Sequence, residues 1–534
     1  MPSVVGMGYL FTNLTNLNKK KFSYGYFGII GCFFLILYSY VSHFFISHNL
    51  IHNSVLFFIG IISFLFLLRI EYRKKEIIIL TVTFFILYIC LLSYKTNDDF
   101  PYYHFAYTYY LNQNPIILGI GKLNHGFSTP SSIFYLNSLF YLPFIKYFSF
   151  QMAAILFMGF TITVLITEIS NYFKTKKLDF VFYFSLLSLA FVCTFFYRIS
   201  EHGTDRSAQI LIILLVIEML IIFNLKKINL KNITNLIILI ILSASLKPIY
   251  FIYFLFFFLF IYYSRKKLTL ILEVIKSKIF LLSTVFILFV ISVNFLNSGC
   301  LIYPLTFVCF DHFTWSIPID QVNHMNQHYN LWSKAGITPN FRIVNPEEYL
   351  KDFKWVSNWF DLYFFNKVSD YLLGLLVLLL FVFLILFKSN KNKFTSIKFL
   401  PVYLLIVILF LEWFFHHPAL RYGGYHLIAL LFFIPFSIYL SHKTFNHNKM
   451  SKKIFLVIIL IFSIFVVRNI QRISKEYQVY NYNLFIQPSF DKKFENYSIY
   501  SEIIDAKGCN INNCNKEGIA SKEFMNKYIF IINQ

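Results

Sequence analysis

Charge is what this chain has least of. Of its 534 residues only 13% are Asp, Glu, Lys or Arg, while 58% are hydrophobic, and the mean hydropathy is +0.63. A chain of this length would ordinarily divide into several soluble domains, but that composition excludes a secreted or cytosolic enzyme. Acidic residues are the scarcer sign, 25 against 47 Lys and Arg, which leaves a net charge of +22. Nucleotide signatures are also missing: neither GxxxxGKS/T nor GxGxxG occurs, and the GIG at 119–121 is too short to cradle phosphates, so nucleoside triphosphate hydrolysis has no support. No small-residue cleavage site follows the first apolar stretch, which therefore reads as a retained helix and not a signal peptide. No internal repeat is evident, which weakens a transporter built from inverted halves.

What fills the chain instead is apolar sequence, with 69 Phe and 38 Tyr, in runs such as FFLILY, FLFFFLFIYY and LLGLLVLLLFVFLILF. These are hydrophobic all the way round a helix, so their solvent is lipid. The expected fold is an all-α polytopic transmembrane bundle of about thirteen spans, near 24–44, 54–70, 76–94, 151–171, 179–197, 207–224, 233–247, 249–263, 279–296, 371–388, 399–416, 423–441 and 453–468. Basic clusters at 19–21, 69–75, 174–177, 226–231, 265–278, 388–398 and 443–453 hold 26 Lys and Arg. By the positive-inside bias those connections are cytoplasmic, the amino terminus is inside and the carboxyl tail outside, in a plasma (inner) membrane. The same clustering, with no basic face interleaved with aromatics, excludes nucleic acid as a partner. SSIFYLNSLFYLPFIKYF at 131–148 is short, interrupted by Pro143, and carries Asn137 and Lys146, which predicts a re-entrant or surface-lying helix that does not span. Four regions follow: N-terminal helices (1–75), a membrane core (76–441) with outer loops at 95–150 and 297–370, a last transmembrane helix (442–468) and an extramembrane tail (469–534).

Of the seven cysteines, Cys32, Cys90 and Cys193 lie in apolar helices, whereas Cys300, Cys309, Cys509 and Cys514 fall outside in two close pairs. Cys300 with Cys309 and Cys509 with Cys514 are disulfide candidates in an oxidising exterior; the alternative is that all four are free small hydrophobes. Cys509 and Cys514 lack the second ligand pair a zinc site needs.

Charged groups outside the membrane are few enough to take one by one. Asp98 and Asp99 follow the end of the third helix directly. A carboxylate there suits a general base for an acceptor hydroxyl or an oxygen ligand for a divalent metal; the alternative is a solvated pair capping the next helix. His125 sits in GIGKLNHGFSTPSS as a ligand or acid candidate. RISEHGTDRSAQ packs Arg198, Glu201, His202, Asp205 and Arg206 between two apolar helices, either as a phosphate or metal site or as mutually neutralising pairs. Lys247, before the helix-breaking Pro248, needs an anion or water at that depth, and a lipid-linked phosphate is one candidate. LEWFFHHPALRYGGYHLI places Glu412 and His416 on one helix face as possible metal ligands without a third partner. In the same stretch Arg421 has a planar fork suited to phosphate, His416 and His417 stand beside it as donor-binding candidates, and Gly423 and Gly424 let the chain approach closely. Glu168 and Glu218 read as interfacial residues toward the inner ends of their helices. No cofactor is demanded; a divalent metal is the candidate.

The order of Asp98 and Asp99, GIGKLNHGFSTPSS before an apolar helix, EHGTDR, SLKPIY, GCLIYPLTFVCFDHFTW and RYGGY resembles a group of bacterial polytopic membrane proteins that in turn resembles the GT-C superfamily of glycosyltransferases, over roughly residues 90–440. The resemblance implies an inverting transferase that takes a sugar from a polyprenyl-phosphate donor in the membrane lipid and passes it to an envelope glycan or protein acceptor on the outer face. Asp98 or Asp99 would then be the base and Lys247 and Arg421 would hold the leaving phosphate. Two additional helices before the first outer loop depart from the superfamily pattern. The alternatives are a surface-polysaccharide polymerase or ligase, a transporter or flippase, and a non-catalytic envelope scaffold docking through 469–534. The catalytic reading requires Asp98 or Asp99, Lys247 and Arg421 to lie within ~15 Å in one cavity.

Overall fold

The computed structural model describes the chain apart from residues 18–21, 95–96, 98, 176–177, 202, 225–229, 336–342, 344, 387–398, 443–446, 486–513, 517–518, 525–526 and 533–534. Asp98, His202 and Cys509 lie outside the described residues.

The architecture is helical. The first helices are α1 (Pro2–Leu14), α2 (Tyr24–His43), α3 (Leu50–Ile70), α4 (Lys74–Leu87), α5 (Phe105–Gln113) and α6 (Ser132–Ser138). The middle of the chain forms α7 (Met152–Thr175), α8 (Phe180–Phe195), α9 (Gly203–Asn224), α10 (Leu230–Leu246), α11 (Leu255–Ser264), α12 (Leu268–Ile275) and α13 (Lys278–Ser298). Then come α14 (Ile319–Lys334), α15 (Pro346–Leu350), α16 (Lys354–Trp359), α17 (Ser369–Leu386), α18 (Leu400–His416), α19 (Gly424–Ser441) and α20 (His447–Tyr480). Small polar residues start the apolar runs: Ser23, Asn49, Asp179 and Ser277 each accept a backbone N–H of the first turn. Gly299, at φ +82°, ends α13.

Among the described residues, nine helices are long and apolar enough to cross a membrane, and four shorter apolar helices accompany them. Each of the thirteen expected segments contains a helix among its described residues. Burial sorts them. Residues on every side of α2 and α9 are buried, whereas α3, α4, α17 and α20 expose Phe58, Leu65, Phe85, Leu373, Leu384 and Phe455. The centre is α9, packed against α7, α8 and α10, and α2 packs on α7. Glu218 of α9, expected at an interface, is only 2% exposed: Asn232 and Asn235 of α10 donate to it at 2.9 and 3.0 Å and the Tyr26 hydroxyl donates as well. A carboxylate so enclosed by three donors tolerates the core where a bare one would not.

The segment 131–148 does not form one continuous helix. The α-helix in it is confined to the seven residues of α6, rising about 10 Å; positive-φ Phe144 and Lys146 follow, the latter opening a short 3-10 turn to Ser149. Every residue of α6 is buried, so it does not lie on the surface of the protein.

The connection after α13 is pinned by a Cys300–Cys309 disulfide and folds as α14–α16 before a π-helical stretch leads into α17. The tail ends in an antiparallel sheet of β1 (Asn515–Lys516), β2 (Ile519–Phe524) and β3 (Lys527–Ile532), in that order. Leu118 of the first loop pairs beside β3: its N–H donates to Tyr528 O, and Phe530 N–H donates to Leu118 O, both at 2.9 Å. Cys514 is disulfide-bonded.

Ahead of the first expected span, residues 2–14 form α1, a buried helix against α2 and α3. Glycine permits it. A Cβ on Gly8 would stand 1.8 Å from Phe27 O, and one on Gly31 would stand 1.9 Å from Val4 O, the close backbone approach that small residues allow between apolar helices. Gly8→Val is therefore expected to cost about 2 kcal/mol or more, read as a lower unfolding temperature of the detergent-solubilised protein. An unchanged temperature contradicts this packing.

Candidate functional site

Four charged groups, from three connections and the first turn of a helix, meet at one end of the bundle. Asp99 precedes the π-helical turn Phe100–His104 before α5, Asp205 lies in the first turn of α9, Lys247 follows α10, and Arg421 sits in the short turn between α18 and α19. Asp205 accepts from Lys247 through Oδ1 and from Arg421 Nε through Oδ2, the latter at 3.2 Å. Arg421 reaches Asp99 Oδ2 with its Nη2 at 3.5 Å. The result is a continuous chain of ion pairs, Lys247–Asp205–Arg421–Asp99, graded in exposure: the Asp205 side chain is 7% exposed, those of Arg421 and Asp99 38% and 30%.

Each group is held there by local chemistry. Pro248 cannot continue α10, and Lys247 is left extended at φ −160°. Asp205 and Gln209 stand four apart on α9 and share a face; the first takes the Arg421 side chain and the second donates to its backbone carbonyl at 2.8 Å. The turn carrying Arg421 is clamped by indoles and a phenol. Trp359 Nε1 donates to Pro418 O at 2.8 Å, Trp413 Nε1 to Ala419 O at 2.9 Å, and Leu420 N–H to the Tyr363 hydroxyl at 2.9 Å. Gly423 has φ +131°, and a Cβ on Gly424 would meet Trp413 at 2.4 Å, so both glycines are required.

Aromatic and imidazole groups surround the charges. The Lys247 ammonium lies 4.4 Å from the centre of the Tyr422 ring, a cation–π contact. His104 is buried, wedged against Tyr103 and Phe134, and its Nε2 has no hydrogen-bond partner. Burial lowers its pKa from 6.5 to about 4, against the pull of Asp99 and Asp205, so the imidazole is neutral. Burial opposes the Arg421 charge, yet Asp205, with Tyr422 and Asp99, holds its pKa well above the ordinary value. His125 Nδ1 is 3.0 Å from the Tyr102 hydroxyl and its ring faces Tyr329 of α14; burial lowers its pKa, reinforced by His328. His417 lies beside Tyr422 and is lowered to about 4 by burial, then by His416, Lys334 and Lys247.

Several expected candidates lie elsewhere. EHGTDR splits in two: Glu201 pairs with Arg198 at 2.5 Å and Arg472 of α20 at 3.2 Å. Arg472 also pairs with Glu476 at 2.6 Å, and Glu476 accepts from Tyr94 N–H at 3.0 Å. That network fastens α20 to the first loop. Arg206 is turned to the Phe196 ring, 5.9 Å away, with its Nη1 buried and unpartnered. His416 faces Glu412 at 3.8 Å and is 65% exposed, apart from the ion-pair chain. No group of three or more His, Cys, Asp or Glu among the described residues is placed to hold a metal ion. Lys247, expected to need an anion or water at its depth, has Asp205 as an anion within the protein.

The fold and site define a multi-helix protein compatible with multi-pass membrane insertion, with a charged centre built at helix ends. The chain belongs to a domain family of unknown function, DUF8201, whose model matches residues 1–428. All four members of the ion-pair chain fall in that stretch, whereas Arg472 and the terminal sheet lie beyond it. No curated protein and no solved structure matches the chain.

Removing Asp205 leaves Lys247 without its carboxylate and Arg421 with Asp99 alone, so Asp205→Asn is expected to destabilise the protein by about 3 kcal/mol, the low end for a broken buried pair because Arg421 and Lys247 are partly solvated. Chemical unfolding in detergent measures it, and a loss under 1 kcal/mol contradicts the keystone role. His104 supplies a pH signature. Its folded pKa is depressed, so the unfolded chain takes up the proton first, and stability falls as pH drops from 6.5 toward 4. Over that window the wild type is expected to lose roughly 3 kcal/mol more than His104→Gln; parallel stability curves contradict it.

Proposed function

We propose that the chain is a multi-pass glycosyltransferase of the GT-C kind, with thirteen spans, a cytoplasmic amino terminus and its charged centre at the outer face of the plasma membrane. It moves a sugar from a polyprenyl-phosphate donor to an envelope acceptor. The observation that supports this reading is the single ion-pair chain joining Asp99, Asp205, Lys247 and Arg421. The partly exposed carboxylate of Asp99 is suited to proton abstraction, and two cations next to it are suited to a phosphate.

In this reaction the acceptor hydroxyl gives its proton to Asp99 while its oxygen lone pair forms the bond to the anomeric carbon. The anomeric carbon–oxygen bond to phosphate breaks on the opposite face, and its electron pair leaves on the lipid phosphate. Arg421 and Lys247 meet charge that grows in the transition state, which is where electrostatic help accelerates a reaction. The acceptor and donor must be held in line, so rigid clamping of the Arg421 turn serves positioning.

Loss of a general base typically costs 10²–10⁴-fold in rate. Vesicles carrying Asp99→Asn are therefore expected to consume a radiolabelled polyprenyl-phosphate sugar at least ~100-fold more slowly than wild type. Asp98→Asn, measured alongside, separates the two adjacent carboxylates, and full activity of the double variant sinks the proposal.

A further inference from the structure

The four charges balance: two carboxylates against one ammonium and one guanidinium. A phosphate entering this centre brings one or two further negative charges, and both cations already have carboxylate partners. One existing pair must open, and the geometry identifies which. Asp205 is almost fully buried, takes both cations, and accepts a hydrogen bond from each. Asp99 holds Arg421 alone, at 3.5 Å, with both side chains about a third exposed. Breaking the Asp205 contacts would strand a buried charge, whereas breaking the Asp99 contact returns a carboxylate to water. Arg421 has five N–H donors, of which Nε serves Asp205 and Nη2 faces Asp99.

We infer that the Asp99–Arg421 pair is an exchangeable latch: a lipid-linked phosphate displaces Asp99 from Arg421 and so releases Asp99 as a base, while Asp205 keeps Arg421 and Lys247 in place. This rests on the transferase reading above and adds regulation of that same site. Freed from Arg421, the Asp99 carboxylate has the oxygen that faced the guanidinium open to accept the acceptor's proton, so donor binding and base release become one event. Without donor, Asp99 stays tied up and acceptor hydroxyls or water are not activated. The neutral His104, enclosed beside the same four charges, adds no competing charge to the exchange.

The latch makes a prediction that a simple catalytic base does not. Asp99 competes with the phosphate in the wild type, so removing it must improve phosphate binding while it abolishes transfer. The probe is farnesyl phosphate, titrated calorimetrically into the full-length protein in uncharged detergent, with inorganic phosphate and farnesol as parallel titrants. Asp99→Asn and Asp99→Ala are each expected to bind farnesyl phosphate about fivefold more tightly than wild type, the size of a partly exposed ion pair. Arg421→Gln is expected to lose that binding. The same Asp99 effect with inorganic phosphate assigns recognition to the phosphate alone, and its restriction to farnesyl phosphate assigns a share to the lipid. Equal or weaker binding by both Asp99 variants overturns the latch and leaves the phosphate site standing. If neither wild type nor variants bind farnesyl phosphate, the transferase reading falls and the latch with it.

Discussion

One buried carboxylate organises this end of the molecule. Asp205 sits in the first turn of α9, the most buried of the nine long apolar helices among the described residues, and its two oxygens face two cations from distant parts of the chain. Moving a carboxylate out of water costs several kcal/mol, recovered only when partners and hydrogen bonds are well placed. Here they are, and the requirement runs outward. Lys247 must leave α10 extended, which Pro248 enforces, and Arg421 must lie in a turn tight enough to need Gly423 and Gly424. One negative charge cannot balance two positive ones, so Asp99 completes the set from the first loop. Three connections and the start of a core helix are thus fixed relative to one another by the electrostatics of a single side chain.

The helices were legible because apolar runs in a chain with so little charge have definite ends. Runs bounded by Ser23, Asn49, Asp179 and Ser277 became helices capped by those residues. The same scarcity exposed the site: in so apolar a chain, Asp99, Lys247 and Arg421 stand out as groups that need a reason. What was not legible was pairing. Glu201 and Asp205 are four residues apart, a spacing that puts two side chains on one face of a helix. Yet α9 begins at Gly203, so Glu201 precedes the helix and turns to Arg472, 271 positions further on, while Asp205 turns to Lys247. A helix boundary between two acids decides their separate destinations, and boundaries are the least readable feature of a sequence. Nor did α1 announce itself. Its thirteen residues are too few to span, and only the backbone contacts at Gly8 and Gly31 reveal that it belongs inside.

The two ion-pair networks at this end of the bundle differ in a way that bears on where a ligand can act. Around Arg472 the members are closed off: Arg472 is 8% exposed, Glu201 2% and Glu476 9%, and Glu476 also accepts a backbone N–H from Tyr94. Each carboxylate there is paired with Arg472 inside the protein, and a ligand entering would have to break nearly buried ion pairs. Such a network joins α20 to the first loop and has no further capacity. Around Arg421 the inner half is equally committed, but the outer half is a single longer contact between two partly solvated groups. A centre of that kind combines fixed position with a partner that can be exchanged. Rigidity comes from Asp205 and Gln209, which hold the side chain and the backbone of Arg421 separately. Openness comes from Asp99, whose release costs least because water receives it. Position without exchange describes Arg472; the conjunction of both properties at Arg421 is the physical ground for placing chemistry there.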